Sequence, residues 1–199
     1  MDNQDKKREL IIEAATRRFA HFGLAKTTMT EIASDLSLSK ALLYYYFPDK
    51  LSLYAAVLES IIQEINAVLV KGISKMTDSE KALLFYLDKR HEYIVKYYNI
   101  LDFIRISGPD LSESLVVILE NARSSEIALL SSIIKIGVDA KHFHISNTDE
   151  TASLLMDAFM GMRYSALHNK QSFQLQNEQF CELLERQKQL GRIFLKGLR

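Results

Sequence analysis

The stretch Thr27 to Lys50, TTMTEIASDLSLSKALLYYYFPDK, restricts this chain more than any other, because its signals start and stop helices twice within a short span. Thr28-Met29-Thr30-Glu31 is a capping box: the Thr28 hydroxyl accepts from the backbone N–H of Glu31, and the Glu31 carboxylate reaches back to Thr28. The helix begun there is short, since Ile32, Ala33 and Leu36 give one apolar edge before Ser37-Leu38-Ser39, residues that favour turns and caps. Ser39 is the expected N-cap of a second short helix, with Leu43 and Phe47 four apart and turned inward. Phe47 precedes Pro48 and leaves the helical region, and Asp49 caps the next helix. Two short helices, a tight turn and a capped third helix form a helix-turn-helix pattern.

What faces outward suggests the partner. Lys40, Ala41, Tyr44 and Tyr45 lie off the buried edge, while Tyr46, and Tyr44 in part, are expected to fill the small core. A tyrosine ring packs on sugar or a thymine methyl while its hydroxyl donates to phosphate, which suits a helix in the major groove of double-stranded DNA. Lys50, in the first turn of the following helix, is expected to clamp a phosphate beside that helix's N-terminus. Residues 1–50 carry eight basic side chains against seven acidic ones, so phosphate binding has to come from local placement rather than bulk charge. Ahead of the motif, Lys6 to Phe22 reads as an amphipathic helix with Ile11, Ala15, Phe19 and Phe22 on the buried face, closed by Gly23.

The rest of the chain is expected to be all-α. Apolar residues make up 48% of 199 residues and recur at spacings of three and four, and only two prolines interrupt them. The longest apolar run, Ala41 to Phe47, is too short to span a bilayer, and the polar N-terminus lacks a secretory core, so the expected location is the cytoplasm, with no membrane partner. One cysteine, Cys181, offers neither disulfide nor zinc framework and is expected to pack in a helix. No nucleophile motif, phosphate loop or metal set stands out, so neither an enzyme, a cofactor nor a metal is expected. Lys141-His142-Phe143-His144 contains a His-x-His pair, read as ordinary surface histidines.

Phe19-x-x-x-Gly23, Thr27-Thr28, Ile32-Ala33, Ser39-Lys40, Leu43-Tyr44-x-Tyr46-Phe47 and Lys50-x-x-Leu53 together resemble the N-terminal signature of the TetR family of bacterial transcriptional regulators. The resemblance implies a three-helix DNA-binding domain over residues 1–50, joined through the helix starting near 49, and a larger helical ligand-binding and dimerisation domain over 51–199. It also implies homodimers formed through the last two helices, and a small molecule that releases the DNA. Carried over, the backbone-contacting threonine falls on Thr28, with Thr30 near the groove. The recognition helix falls on Ser39 to Tyr45, and Tyr44, Tyr45, Tyr46 and Lys50 take positions that often touch phosphate or base edges. Three positions depart: the turn glycine is Ser37, a frequent glycine is Ala41, and a usual threonine is Leu42, whose contribution has to be apolar.

Beyond Asp49 a helix is expected to about Lys71, ended by Gly72, with Leu53, Val57, Ile61, Ile65 and Leu69 inward. Thr77-Asp78-Ser79-Glu80 reads as a capping box for a helix to about Tyr98. A short helix, Ile100 to Ser107, stops at Gly108-Pro109, and Asp110 to Glu113 opens a long helix through Ile134. Asn147 to Glu150 caps a helix apolar almost all round, with Gly161 permitting close approach. After Asn169 to Gln176 a final helix presents Phe180, Leu183, Leu184, Leu190, Ile193 and Phe194; two such helices per subunit build a four-helix interface. Tyr86, Tyr93, Tyr97 and Phe103, with Met156, Phe159, Met160 and Tyr164, are candidate walls for an apolar or amphipathic ligand, and Arg105, Arg163 or His168 candidate polar anchors.

The function these features point to is a homodimeric repressor released from a palindromic operator by a small molecule. The alternative is a helical protein-interaction module without DNA affinity.

Overall fold

The computed structural model describes residues 3–107, 110–168 and 173–199, with the side chains at 3, 106, 167–168 and 173–177 set aside. Within them the fold is all-α: α1 (Asn3–Lys26), α2 (Met29–Asp35), α3 (Lys40–Tyr46), α4 (Lys50–Ile73), α5 (Ser79–Lys96), α6 (Tyr98–Ser107), α7 (Glu113–Asp139), α8 (Thr148–His168) and α9 (Phe173–Gly197). The expected stop at Gly108-Pro109 and the residues from Asn169 to Ser172 lie outside the described residues; α9 begins earlier than expected, at Phe173.

The chain forms two compact units, one of residues 1–64 with 96–120 and one of 65–95 with 121–199. Each unit is built from separate stretches of chain, which pass from one to the other within α4, near the α5–α6 joint and within α7.

In the first unit, Ile11, Ala15 and Phe19 of α1 are buried as their spacing requires, but Phe22 is 49% exposed. The helix breaks at Gly23, whose φ of +78° is open to glycine, and Leu24 beyond the break takes the core position instead. Phe22 packs on the surface, edge-on to His21 at 4.4 Å and under Arg18 at 5.9 Å. The hub of the unit is Tyr54 of α4, fully buried with Phe19 at 6.1 Å and Phe103 at 5.0 Å. Its hydroxyl donates to the Ile100 carbonyl at 2.7 Å. Asn99 adds bonds from Nδ2 to the carbonyls of Ala20 at 2.8 Å and His21 at 3.3 Å, so α6 is fixed to α1 by polar as well as aromatic contacts.

The second unit is built on Leu69, Leu83, Tyr86, Leu130, Ile133 and Phe159, drawn from α4, α5, α7 and α8 and closed by Leu195 of α9. α4 runs one residue past Gly72, to Ile73, and a side chain at 72 would meet the Phe85 ring. Asp78, rather than Thr77, caps α5: its carboxylate accepts from the Lys81 N–H at 2.9 Å, three residues on. Asn147 caps α8 as read, accepting from Asp149 and Glu150 N–H groups at 3.1 Å. Gln187 of α9 donates to the Phe159 carbonyl at 3.1 Å, and Ser131 of α7 bonds Asp149 at 2.5 Å. One reading of side-chain direction changes here. Cys181 is exposed rather than packed. Ile193 is 61% exposed while Leu195 turns inward. Phe143 is buried against Gly137, and the histidines on either side of it are exposed.

Candidate nucleic-acid interface

The turn between α2 and α3 is set by local chemistry. Thr28 caps α2 with φ −112° and ψ 152°: its hydroxyl oxygen accepts from Glu31 N–H at 3.3 Å and donates to the Glu31 carboxylate at 2.8 Å. The same carboxylate accepts from Thr28 N–H at 2.8 Å, and these bonds, the hydroxyl's first, hold the Glu31 carboxyl below its ordinary pKa. The turn itself needs a left-handed residue, and Ser37 supplies it at φ +53° where glycine is the easier choice. Ser39 then caps α3, accepting from Leu42 N–H at 3.2 Å. Leu43 and Phe47 are buried beneath α3.

Three side chains outside α2 and α3 fix this element to its support. Arg18 of α1 forks onto Asp35, with Nε at 2.5 Å and Nη2 at 2.8 Å from its two oxygens, and stands 3.4 Å from Glu31. Its hydrogen bonds keep the Asp35 carboxyl below the usual range. Arg8 lies over the Phe47 ring at 5.2 Å. Lys50 donates to the Leu24 carbonyl at 2.8 Å and the Thr27 carbonyl at 3.0 Å, which engages two of the ammonium's three donors in the fold. The residue expected as a phosphate clamp is therefore first a strut between α4 and the α1–α2 junction. Asp49 caps α4 through Ser52 N–H at 2.7 Å, and this bond holds its carboxyl low.

On the outer face, Thr28, Thr30, Ser39, Lys40, Ala41, Tyr44 and Tyr45 are exposed, and Leu42 and Tyr46 are half-buried. Tyr45 is 70% exposed; its ring meets Tyr46 edge-on at 5.4 Å and its oxygen accepts from Gln4 at 3.2 Å, which leaves its proton to donate. Lys40 lies over the Tyr44 ring at 5.7 Å. A capped, seven-residue α3 thus carries two tyrosines and a lysine on its solvent side, next to its exposed N-cap Ser39. The roles of Arg18 and Arg8 were missed by periodicity, which places both outside the apolar stripe and says nothing of what they reach; the only sequence signal was their presence on a helix preceding an acidic one.

The expected ligand wall divides between the units. Tyr97, Phe103 and Arg105 belong to the first: Tyr97 is buried and donates to Glu64 at 3.2 Å, Phe103 packs on Tyr54, and Arg105 is exposed and paired with Asp102 at 2.6 Å. Tyr86, Tyr93, Met156, Phe159, Met160, Arg163 and Tyr164 belong to the second. There Met156 and Phe159 are core, Tyr93 and Arg163 are half-buried, and Met160 and Tyr164 face solvent at 36% and 67% exposure. The side chain of His168 lies outside the described residues. The cleft beside Arg163, lined also by Arg90, His91, Phe180 and Leu184, has a volume of about 20 Å³, room for roughly one water molecule rather than a ligand. Arg90 at its edge is buried and bonded to Glu126 at 2.8 Å.

A helix-turn-helix braced on a third helix, at the head of an all-α chain, defines a DNA-binding transcriptional regulator. Residues 11–57 match the family model of bacterial regulatory proteins of the tetR family. A transcriptional regulator of Cytophaga hutchinsonii, solved by crystallography, is 31% identical, with 96% of this chain and 98% of that one covered and a TM-score of 0.84. The uncharacterized HTH-type transcriptional regulator YuxN of Bacillus subtilis is 28% identical over 139 residues, a match spanning 68% of this chain but 44% of that protein. A regulator of Saccharomonospora viridis solved in complex with choline shares the fold at 18% identity, with 96% of each chain covered and a TM-score of 0.72. The chain belongs to the TetR family of bacterial transcriptional regulators, and it is a regulator, not an enzyme.

Proposed function

We propose that this protein is a homodimeric repressor that binds a palindromic operator and leaves it when a small molecule is bound, with residues 1–50 reading DNA and 51–199 sensing and pairing. The observation that carries the reading is the outer face of α3. Ser39, Lys40, Tyr44 and Tyr45 are presented together, on a helix too short to hold its own geometry and therefore braced by Arg8, Arg18 and Lys50. Thr28 and Thr30 at the start of α2 are placed for the phosphate backbone, and Ala41, Leu42 and Tyr46 for base edges or sugar. Two-fold symmetry puts two copies of α3 into successive major grooves, about 34 Å apart or a multiple of it.

Support for pairing comes from α8 and α9. Leu154, Met160 and Tyr164 leave an apolar face of α8 in solvent, Ile193 does the same on α9, and Gly161 has open space where a side chain would stand. A second copy of the same helices covers such a face in a four-helix arrangement. Ligand control is a population shift: the molecule favours a dimer in which the two α3 helices no longer match the half-site spacing. The choline complex of the Saccharomonospora viridis regulator supports a small-molecule effector for this fold.

Selection from random duplexes followed by affinity measurement over a range of salt tests this. Salt-sensitive binding of a two-fold symmetric site, lost about tenfold in Tyr45→Ala without a change in unfolding, is the expected result. Absence of any salt-sensitive duplex binding by the intact protein refutes it. The near-balance of charge over residues 1–50 favours a second reading, a helical interaction module, and duplex-free binding to a protein partner unaffected by Tyr45→Ala is its signature.

A further inference from the structure

We propose that Gln4, in the first turn of α1, is a positioning residue of the DNA interface: it holds the Tyr45 side chain of α3 so that the phenol proton is given to a phosphate oxygen of the operator. The inference rests on reading α3 as the recognition helix, and the residue it adds lies ahead of residues 11–57, the part that matches the family model.

The buried face of α1 leads to this contact. Phe19, Ala15 and Ile12 recur at spacings of four and three and are buried. The same stripe continues through Arg8 to Gln4, one turn apart, where the core has ended and both residues are exposed. There it runs out over the end of α3. Arg8 lies over the Phe47 ring at 5.2 Å, and Gln4 Nε2 donates to the Tyr45 hydroxyl at 3.2 Å. Donor and acceptor are 41 residues apart in sequence, so the fold alone brings them together.

Tyr45 has little else to hold it. The residue is 70% exposed, and its ring meets half-buried Tyr46 edge-on at 5.4 Å. That neighbour restrains the ring but not the hydroxyl, whose hydrogen bond among the described residues is the one to Gln4. A side chain ordered before binding spares the complex an ordering cost of about two- to tenfold in affinity.

The direction of the bond selects the partner. Gln4 occupies an acceptor position of the phenol oxygen, which keeps the O–H free to donate, and a hydroxyl that accepts one hydrogen bond donates the next more strongly. Phosphate oxygens only accept. Tyr45 also stands near the C-terminal end of α3, whereas a recognition helix meets base edges through its N-terminal residues, so the acceptor is backbone phosphate rather than a base.

Operator affinity of the intact protein, measured for Gln4→Ala, Tyr45→Phe and the double variant with urea midpoints on the same samples, tests this. Gln4→Ala is expected to weaken binding about threefold in the wild-type background and less than about 1.5-fold once Tyr45→Phe has removed the hydroxyl, with midpoints constant to about 0.2 M. Gln4→Arg keeps an N–H donor within reach and is expected to restore the full cost of Tyr45→Phe. The loss in Gln4→Ala is expected to be the same on operators altered at single base pairs, since a phosphate contact carries no sequence information. Independent, additive losses, a loss matched by a lower midpoint, or a loss that changes with one base pair overturns the proposal. An operator bound equally well by wild type and Gln4→Ala overturns this inference alone, whereas a wild-type protein without duplex affinity overturns it together with the recognition-helix reading.

Discussion

Lys50 is the residue at which two explanations give opposite measurements. As a strut, its ammonium bonds the carbonyls of Leu24 and Thr27, at 2.8 and 3.0 Å, and holds the start of α4 against the junction that precedes α2. Lys50→Met keeps the hydrocarbon stem and removes both bonds. A hydrogen bond to a charged group is worth about 1.5–3 kcal/mol, and the half-buried setting places both bonds at the lower end, so two give about 3 kcal/mol. Water reaching the released carbonyls returns about 1 kcal/mol of this, which leaves a net loss of about 2 kcal/mol. With a urea slope of about 2 kcal/mol/M, the unfolding midpoint falls by about 1 M and the slope stays constant. As a phosphate clamp alone, the same substitution leaves the midpoint where it is and reduces the slope of log affinity against log salt by about 0.9, one phosphate contact. Urea titration by circular dichroism, with operator titrations at several salt concentrations on the same samples, separates the two. A midpoint shift below about 0.2 M, which at that slope is under 0.5 kcal/mol, refutes the strut.

Ser37 holds a left-handed φ of +53° that costs a side chain about 1 kcal/mol, so Ser37→Gly is expected to stabilise the first unit by about 0.5–1 kcal/mol, read as a higher urea midpoint. In acid the same unit loses support: Glu31, Asp35 and Asp49 have carboxyls held below their ordinary values by hydrogen bonds, so the folded state binds fewer protons than the unfolded one. Their contribution is complete above the usual carboxylate range and is lost as the pH falls through it to the depressed folded values. Helicity and urea midpoint followed from pH 7 downward are expected to decline over that window, and Asp49→Asn is expected to flatten the decline. A midpoint that is flat or rises through it contradicts the assignment.

The chain by itself determined the elements and much of the candidate interface. Capping at Thr28, Ser39, Asp49 and Asn147 depends on groups two or three residues apart, and the stop at Phe47-Pro48 on two adjacent residues, so local chemistry settles them. The burial of Leu43 beneath α3 and the exposure of Tyr45 followed from helical spacing for the same reason. Where sequence reading failed, the deciding contact lay far along the chain or just beyond a break. Phe22 lost its core place to Leu24 because a single backbone angle at Gly23 redirected the chain; the glycine at 72 is accounted for by Phe85, thirteen residues on, which occupies the space beside it. Lys50 turned from the solvent to two carbonyls more than twenty residues away, and Arg18 to a carboxylate on the next helix. Only the tertiary structure separated Tyr97 and Phe103 from Tyr86 and Arg163, and only it placed Arg90, Glu126 and Arg163 in one cluster. The physical reason is range: hydrogen bonds along a helix read neighbouring residues, whereas the balance of buried charge depends on which distant side chains the fold brings together.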